Sequence, residues 1–115
     1  MKHKVKGRRF KRNSAQRKAL LKHLSEALIL HGKIKTTSAK AKELSGHMDG
    51  LITIAKKENL ASAKALHSKL SDEPSKKLMK EIVKKYKERH GGYTRIIKTD
   101  ERKGDAAQMS YIELV

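Results

Sequence analysis

The sequence predicts an α+β fold in which three to four helices pack on a small mixed sheet of about three strands, behind a basic extended N-terminal arm. Three observations lead to this prediction. Apolar residues recur at helical spacing in four segments, β-branched or alternating runs occur in three others, and the first twelve residues offer almost nothing to bury. Because 115 residues can enclose one modest core, we expect one domain, 13–115, behind an arm, 1–12.

The predicted arm alternates basic, polar and small residues, and only Val5 and Phe10 could contribute buried side chains. Such a segment cannot by itself offset the conformational entropy that it loses on ordering. We therefore expect residues 1–12 to become ordered on a binding partner. Fully extended, twelve residues reach roughly 40 Å at about 3.3 Å each.

The first helix is predicted to begin after an N-cap at Asn13 or Ser14 and to end at Gly32, a residue that tolerates the left-handed conformation of a helix C-terminus. Its apolar face comprises Leu20, Leu21, Leu24, Ala27 and Leu28. The run 33–37 that follows is short, alternating and β-branched, which predicts a strand.

A second helix is predicted to start at a cap formed by Thr37 or Ser38 and to end near Lys56. Gly46 and Gly50 inside it each cost about 1 kcal/mol relative to Ala, which allows a break or a close backbone contact there. The apolar stripe of this helix comprises Ala41, Leu44, Met48, Leu51, Ile52 and Ala55.

Two further helices are predicted, although the pattern leaves helix boundaries between residues 45 and 77 undetermined. The third is short, and its apolar positions are Leu60, Ala63, Leu66 and Leu70. The sequence Asp72-Glu73-Pro74 is typical of a helix start and begins the fourth. Its inward residues are Leu78, Met79, Ile82, Val83 and Tyr86, and its opposite, solvated face carries Lys76, Lys77, Lys80, Lys84 and Lys87.

The C-terminal quarter predicts two strands after Gly91-Gly92 ends the fourth helix. These strands are 93–99 and 107–115, joined by a polar turn at 100–105. We expect them to form the sheet together with the short strand at 33–37.

Positive charge is concentrated at the start of the chain. Fourteen of the first 42 residues are Lys or Arg and one, Glu26, is acidic, so this stretch carries +13 of the chain's +17. Cationic side chains that neutralise phosphates release condensed counterions, so the expected partner is a polyanion. Four of the seven arginines, Arg8, Arg9, Arg12 and Arg17, lie within ten residues, and their planar guanidinium groups can hold phosphate oxygens bidentately.

The aromatic content argues for contacts to phosphates, riboses and shape rather than to bases. Only Phe10, Tyr86, Tyr93 and Tyr111 are aromatic, whereas modules that grip single strands stack bases on several aromatic rings. A DNA-reading helix-turn-helix over residues 14–55 is disfavoured. That motif needs a turn of about three or four residues, whereas here a longer connection with the predicted strand lies between the two helices.

The sequence offers no candidate catalytic or metal centre. There is no cysteine, and the six histidines are scattered without a pair at ligand-like spacing, so neither a metal site nor a cofactor is expected. No serine lies in a nucleophile motif, which leaves an RNA-acting enzyme supported by the basic surface alone. No segment approaches the roughly 20 apolar residues needed to cross a bilayer, so we expect no membrane association and a cytoplasmic location.

Several separate blocks, in order and at similar spacing over the whole chain, resemble the bacterial large-subunit ribosomal protein L17 family. They are Met1-Lys2-His3-Lys4, Gly7-Arg8, Arg12-Asn13-Ser14, Arg17-Lys18-Ala19-Leu20-Leu21, His31-Gly32-Lys33-Ile34, Thr36-Thr37, Ala39-Lys40-Ala41-Lys42-Glu43-Leu44, Leu51-Ile52-Thr53, Gly91-Gly92-Tyr93-Thr94-Arg95-Ile96, Gly104-Asp105-Ala106-Ala107 and Ile112-Glu113-Leu114-Val115.

The resemblance implies a mixed α/β domain bound to large-subunit ribosomal RNA at the outer surface of the subunit, beside other ribosomal proteins near the rim of the peptide exit tunnel. It implies RNA contacts by Lys2, His3, Lys4, Arg8, Arg12, Arg17 and Lys18, with Arg95, Lys98 and Arg102 as further candidates. The complete set of predicted RNA-binding residues is Lys2, His3, Lys4, Lys6, Arg8, Arg9, Lys11, Arg12, Asn13, Arg17, Lys18, Lys22, Lys33, Lys35, Lys40, Arg95, Lys98 and Arg102.

The leading hypothesis is therefore a non-catalytic, rRNA-binding constituent of the large ribosomal subunit, which supports translation in the cytoplasm and takes no small-molecule substrate. The same charge would also suit a nucleoid-type DNA-binding protein, which is the alternative. A preference for ribosomal RNA or for duplex DNA at equal salt separates the two.

Overall fold

The structure, a computed structural model, describes residues 13–115. It contains the helices α1 (Ser14–His31), α2 (Ser38–Lys56), α3 (Leu60–Lys69) and α4, and the strands β1 (Lys33–Thr37), β2 (Thr94–Lys98) and β3 (Met109–Leu114). Helix α4 runs over 72–85, with α-helical Asp72–Lys77, a π-helical segment Leu78–Ile82 and a final turn Val83–Lys85. The predicted α+β class is confirmed, whereas the predicted arm, 1–12, lies outside the described residues.

The three strands form one sheet in the order β1-β3-β2. Both strand pairs are antiparallel, so the sheet is not mixed as predicted. The loop 99–108 joins β2 directly to β3 without the crossover helix that a parallel pair usually needs, and β1 runs parallel to β2 only across the central strand. Register places Lys33 and Arg95 on either side of Glu113.

Helix α1 begins and ends as its sequence predicts. The Asn13 side chain accepts a hydrogen bond from the Gln16 N–H at 2.8 Å, and the Gln16 side chain accepts one from the Asn13 N–H at 3.1 Å. This capping box satisfies backbone donors that have no partner inside the helix. At the other end Gly32 adopts φ +78°, a left-handed conformation that its missing Cβ makes accessible.

Helix α2 forms the centre of the core. All six residues of its predicted apolar stripe are buried. Thr37 is the N-cap, and its hydroxyl accepts from the Lys40 N–H at 3.3 Å. The break considered at Gly46 and Gly50 is absent, since the helix is continuous and a Cβ at either glycine would meet no atom within 4 Å.

Helices α3 and α4 pack on α2 and α1 through the residues predicted for them, with one exception. Leu66 and Leu70 are buried, but Leu60 is 72% exposed because it is the first residue of α3, directly after its Asn59 cap. In α4, Leu78, Ile82 and Val83 are buried, as is Tyr86 directly after it, while most of the opposite lysines are exposed as expected. These side chains join α2 and strand residue Ile112 in a single core.

Few polar groups enter the core, and most of them are paired. The hydroxyls of Ser38 and Ser110 lie 2.7 Å apart, which ties the start of α2 to the central strand. Tyr86, 2% exposed, donates to the Val115 carbonyl at 2.8 Å and lies 3.3 Å from the Tyr93 carbonyl. The end of the chain is thereby attached to α4.

Candidate nucleic-acid interface

The first half of α1 carries three predicted RNA-binding residues, Arg17, Lys18 and Lys22. In the described part of the chain none of the three forms an ion pair. The only acid of α1 is Glu26, one turn after Lys22, at a spacing that commonly gives a helical ion pair. Instead, Glu26 Oε1 accepts from the Ser71 N–H at 3.1 Å and from its hydroxyl at 3.0 Å, and it forms no ion pair with Lys22.

Arg17 is half-buried at the start of this basic segment. Its Nε lies out of solvent and meets no hydrogen-bond acceptor of the described chain. The guanidinium group is therefore not held inward by an acidic partner, and a buried donor of this kind gains about 1–3 kcal/mol when an acceptor reaches it. Both facts fit a side chain that meets an external anion.

Lys18 and Lys22 line one wall of a cleft of about 510 Å³ between α1, α2 and α3. The other lining residues are Ala19 and Leu21 of α1, His47 of α2, and Ser68 and Lys69 of α3. We call this cleft the basic cleft. No carboxylate lines it. Burial lowers the pKa of His47, and the nearby Lys69 ammonium lowers it further.

His47 and Lys69 were not among the predicted RNA-binding residues. They lie on separate helices, and tertiary packing alone brings them to Lys18 and Lys22. No spacing within the sequence signals that meeting, because neither residue lies on a basic segment comparable with the N-terminal one.

The outer face of the sheet carries a second group of predicted residues. Lys33 and Lys35 are exposed on β1, with their Nζ atoms 4.6 and 5.7 Å from the ring centroid of Tyr111 on β3. These are cation–π contacts, which leave the positive charge facing solvent. Arg95 on β2 lies on the same face, but its Nη1 is 3.2 Å from Glu113 Oε1, so its charge is partly balanced.

Arg102 lies in the loop between β2 and β3, where Asp105 binds it through two hydrogen bonds of 3.0 and 2.6 Å. The hydrogen bonds from Arg102 lower the pKa of Asp105 to about 2. Lys98 is exposed at the end of β2 and forms no ion pair in the described chain. Of the three C-terminal candidates, Arg95 and Arg102 are each paired with a carboxylate, and Lys98 is not paired with one among the described residues.

The remaining predicted residues have different surroundings. The Asn13 side chain is used in the α1 cap, and Lys40 lies half-buried in the first turn of α2. The others lie outside the described residues: Lys2, His3, Lys4, Lys6, Arg8, Arg9, Lys11 and Arg12.

The described residues contain no metal-binding cluster and no membrane-spanning helix. Between residues 13 and 115, no three His, Asp or Glu side chains come together in a group that could hold a metal ion. None of the described helices combines the length and apolar character needed to cross a membrane.

Comparisons with known proteins show which family this chain is similar to. A family model described as ribosomal protein L17 matches residues 20–115. Large ribosomal subunit protein bL17 of Sulfurimonas denitrificans is 53% identical over 116 aligned positions, which cover all of both chains. The bL17 of Zymomonas mobilis is 51% identical over all of this chain and 83% of its own length, and that of Campylobacter concisus is 51% identical over 98% of its length.

Proposed function

The chain belongs to the ribosomal protein L17 family, and we propose that, as a protein of the large subunit of the cytoplasmic bacterial ribosome, it binds large-subunit rRNA through its N-terminal arm and α1. Its role in this proposal is structural and non-catalytic. The surface near the rim of the exit tunnel is the proposed location, and other large-subunit proteins there are the proposed neighbours.

The observation that carries this proposal is the set of unpaired cations in the first half of α1. Arg17, Lys18 and Lys22 follow the basic segment 1–12 in the sequence and form no ion pair among the described residues, and Glu26, the one acid of α1, accepts hydrogen bonds from Ser71. Cationic side chains concentrated in this way gain affinity for RNA by releasing counterions from neutralised phosphates.

The chemistry of the surface favours backbone contacts over base reading. Arginine forks fit phosphate oxygens, and lysines act as point charges beside them. Among the described residues, Tyr111 is the only aromatic residue on the outer face of the sheet, and it is flanked by Lys33 and Lys35. We therefore expect recognition of a folded RNA by its phosphates and shape.

The decisive experiment replaces Arg8, Arg9, Arg12 and Arg17 together with Gln and measures binding to large-subunit rRNA over a range of KCl concentrations. Each lost phosphate contact should reduce the slope of log K against log salt by about 0.7 to 0.9, so four should reduce it by about 3. A matched control removes the same charge elsewhere, by replacing the exposed Lys57, Lys80, Lys84 and Lys87 with Gln.

An unchanged slope in the arginine variant would contradict the proposal, as would an equal loss in the control. Competition with duplex DNA at the same salt addresses the DNA-binding alternative, because a preference for the duplex would favour it. Sedimentation adds an independent measurement: the full-length protein should remain with the large subunit after a high-salt wash.

A further inference from the structure

We propose that the basic cleft binds one phosphate group of the rRNA backbone, held by Lys18 and Lys22 of α1, Lys69 of α3 and His47 of α2. This inference rests on the proposed function and adds a specific site on the folded domain, separate from the arm. It assigns RNA-binding roles to His47 and Lys69.

The cleft has the donors that a phosphate needs and no competing acid. Lys18, Lys22, Lys69 and His47 line it as possible donors, whereas the Ser68 hydroxyl already donates to the Ala65 carbonyl at 2.7 Å. A phosphodiester carries one negative charge, so several donors converging from three helices can surround it. Its volume of about 510 Å³ lies within the range of small-molecule pockets, and Ala19 and Leu21 provide apolar surface beside the donors.

The acids nearest in sequence to the cleft lysines are engaged elsewhere. Glu26, four residues after Lys22, accepts two hydrogen bonds from Ser71. Asp72, three residues after Lys69, has its Oδ1 3.4 Å from His67 Nδ1. Neither carboxylate forms an ion pair with Lys22 or Lys69 among the described residues, and neither lines the basic cleft.

The surroundings of His47 agree with this geometry. Burial lowers its pKa, and the Lys69 ammonium lowers it further, which places the imidazole close to that ammonium group. A phosphate beside the imidazole would compensate the Lys69 ammonium. Either protonation state of the ring has an N–H that can donate to a phosphate oxygen.

An RNA phosphate fits this cleft better than an acidic protein segment. Arg17, Lys18 and Lys22 lie together in the first half of α1, so an RNA backbone that follows these cations reaches the cleft that Lys18 and Lys22 line. One strand could then contact Arg17 and place a neighbouring phosphate between Lys18 and Lys69.

The test uses the full-length double variant His47→Gln/Lys69→Gln, which leaves the arm and α1 intact. We expect the slope of log K against log salt to fall by about 0.7 to 0.9, equivalent to roughly five-fold to eight-fold weaker rRNA binding at 0.1 M salt. The matched control is His90→Gln/Lys57→Gln, at two exposed positions outside the cleft, and it should bind like the parent. Circular dichroism melting of both variants checks that each one is folded.

Phosphate ethylation interference on an rRNA fragment gives the sharper result. The parent protein should show one interfering phosphate that the cleft variant no longer shows, while the other interfering positions persist. If the folded cleft variant keeps the parental slope and interference pattern, the inference is wrong, even if the four-arginine variant loses its slope and the proposed function stands. If the cleft variant binds rRNA normally but no longer joins the large subunit, a protein neighbour occupies the cleft and the phosphate assignment is overturned.

Discussion

Glu26 Oε1 accepts hydrogen bonds from both the backbone N–H and the hydroxyl of Ser71, at 3.1 and 3.0 Å. Ser71 is the N-cap of α4 and makes no side-chain cap of its own, so a carboxylate from α1 stabilises the start of another helix. One contact therefore has two effects: it joins α1 to α4, and it engages the single acid of the first 42 residues with a neutral side chain and not with a cation of α1.

Replacing Glu26 with Ala should lower the free energy of unfolding by about 1 kcal/mol, because both Ser71 donors lose their acceptor. Urea unfolding of the RNA-free protein measures the difference. Glu26→Gln is the control, since its amide oxygen can still accept, and it should recover most of the stability. If Gln is as destabilising as Ala, the hydrogen bonds are not the cause.

The two interior glycines of α2 should be replaceable with a gain in stability. Ala at Gly46 or Gly50 meets no atom within 4 Å, and either change should raise the free energy of unfolding by about 0.5 to 1 kcal/mol. Thermal unfolding of each single variant measures the gain. Gly32→Ala is the contrasting control, because φ +78° strains any residue with a Cβ, and it should lower the melting temperature.

The behaviour of α2 shows why its sequence was sufficient to predict it. Its apolar residues recur with helical period over 19 residues, so the buried face follows from spacing, and the Thr37 cap marks its start. The same reasoning predicted that Leu60 faces the core, but Leu60 is exposed because it is the first residue of a helix, before a neighbouring turn exists to cover it. The π-helical segment of α4 has no corresponding period in the sequence.

The sequence predicted only part of the candidate interface, because the packing of the helices brings the other residues to it. Lys18 and Lys22 were found because charge density along the chain is visible directly. His47 and Lys69 join them only through the contacts of α2 and α3 with α1, which depend on helix orientation. Lys77 shows the same limit, because it belongs to the predicted solvated face but donates to the Leu30 carbonyl at 3.1 Å.

The loop between β2 and β3 should show an acid titration set by Arg102. The pKa of Asp105 is about 2, below its ordinary value of 3.8, so the favourable interaction is present above pH 3.8 and is lost as the pH falls toward about 2. Carboxyl NMR titration should show the pKa of Asp105 rising toward 3.8 in Arg102→Gln. Arg95→Gln should leave it unchanged, since Arg95 pairs with Glu113, and a shift of equal size there would contradict this assignment.

Tyr86 should make stability fall at alkaline pH. Burial raises its pKa above the ordinary value of 10.0, despite a smaller opposing effect of Arg89. Between pH 10 and the raised pKa of the folded state, the folded protein retains a proton that the unfolded chain releases. The contribution of Tyr86 to the free energy of unfolding is therefore complete below pH 10 and declines as the pH rises through the folded pKa. Urea unfolding at intervals between pH 8 and pH 11 measures this decline.

Tyr86→Phe separates that titration from the ionisation of the other side chains. Below pH 9 the variant should be less stable by about 1 to 2 kcal/mol, because the Val115 carbonyl loses its donor. The difference in the free energy of unfolding between the two proteins, which we call the gap, should then narrow as the pH rises above 10. The reason is that Phe cannot ionise, whereas Tyr86 resists ionisation only in the folded state. A gap that stays constant to pH 11 would mean that the phenol titrates equally in both states, and its burial would then have no electrostatic consequence.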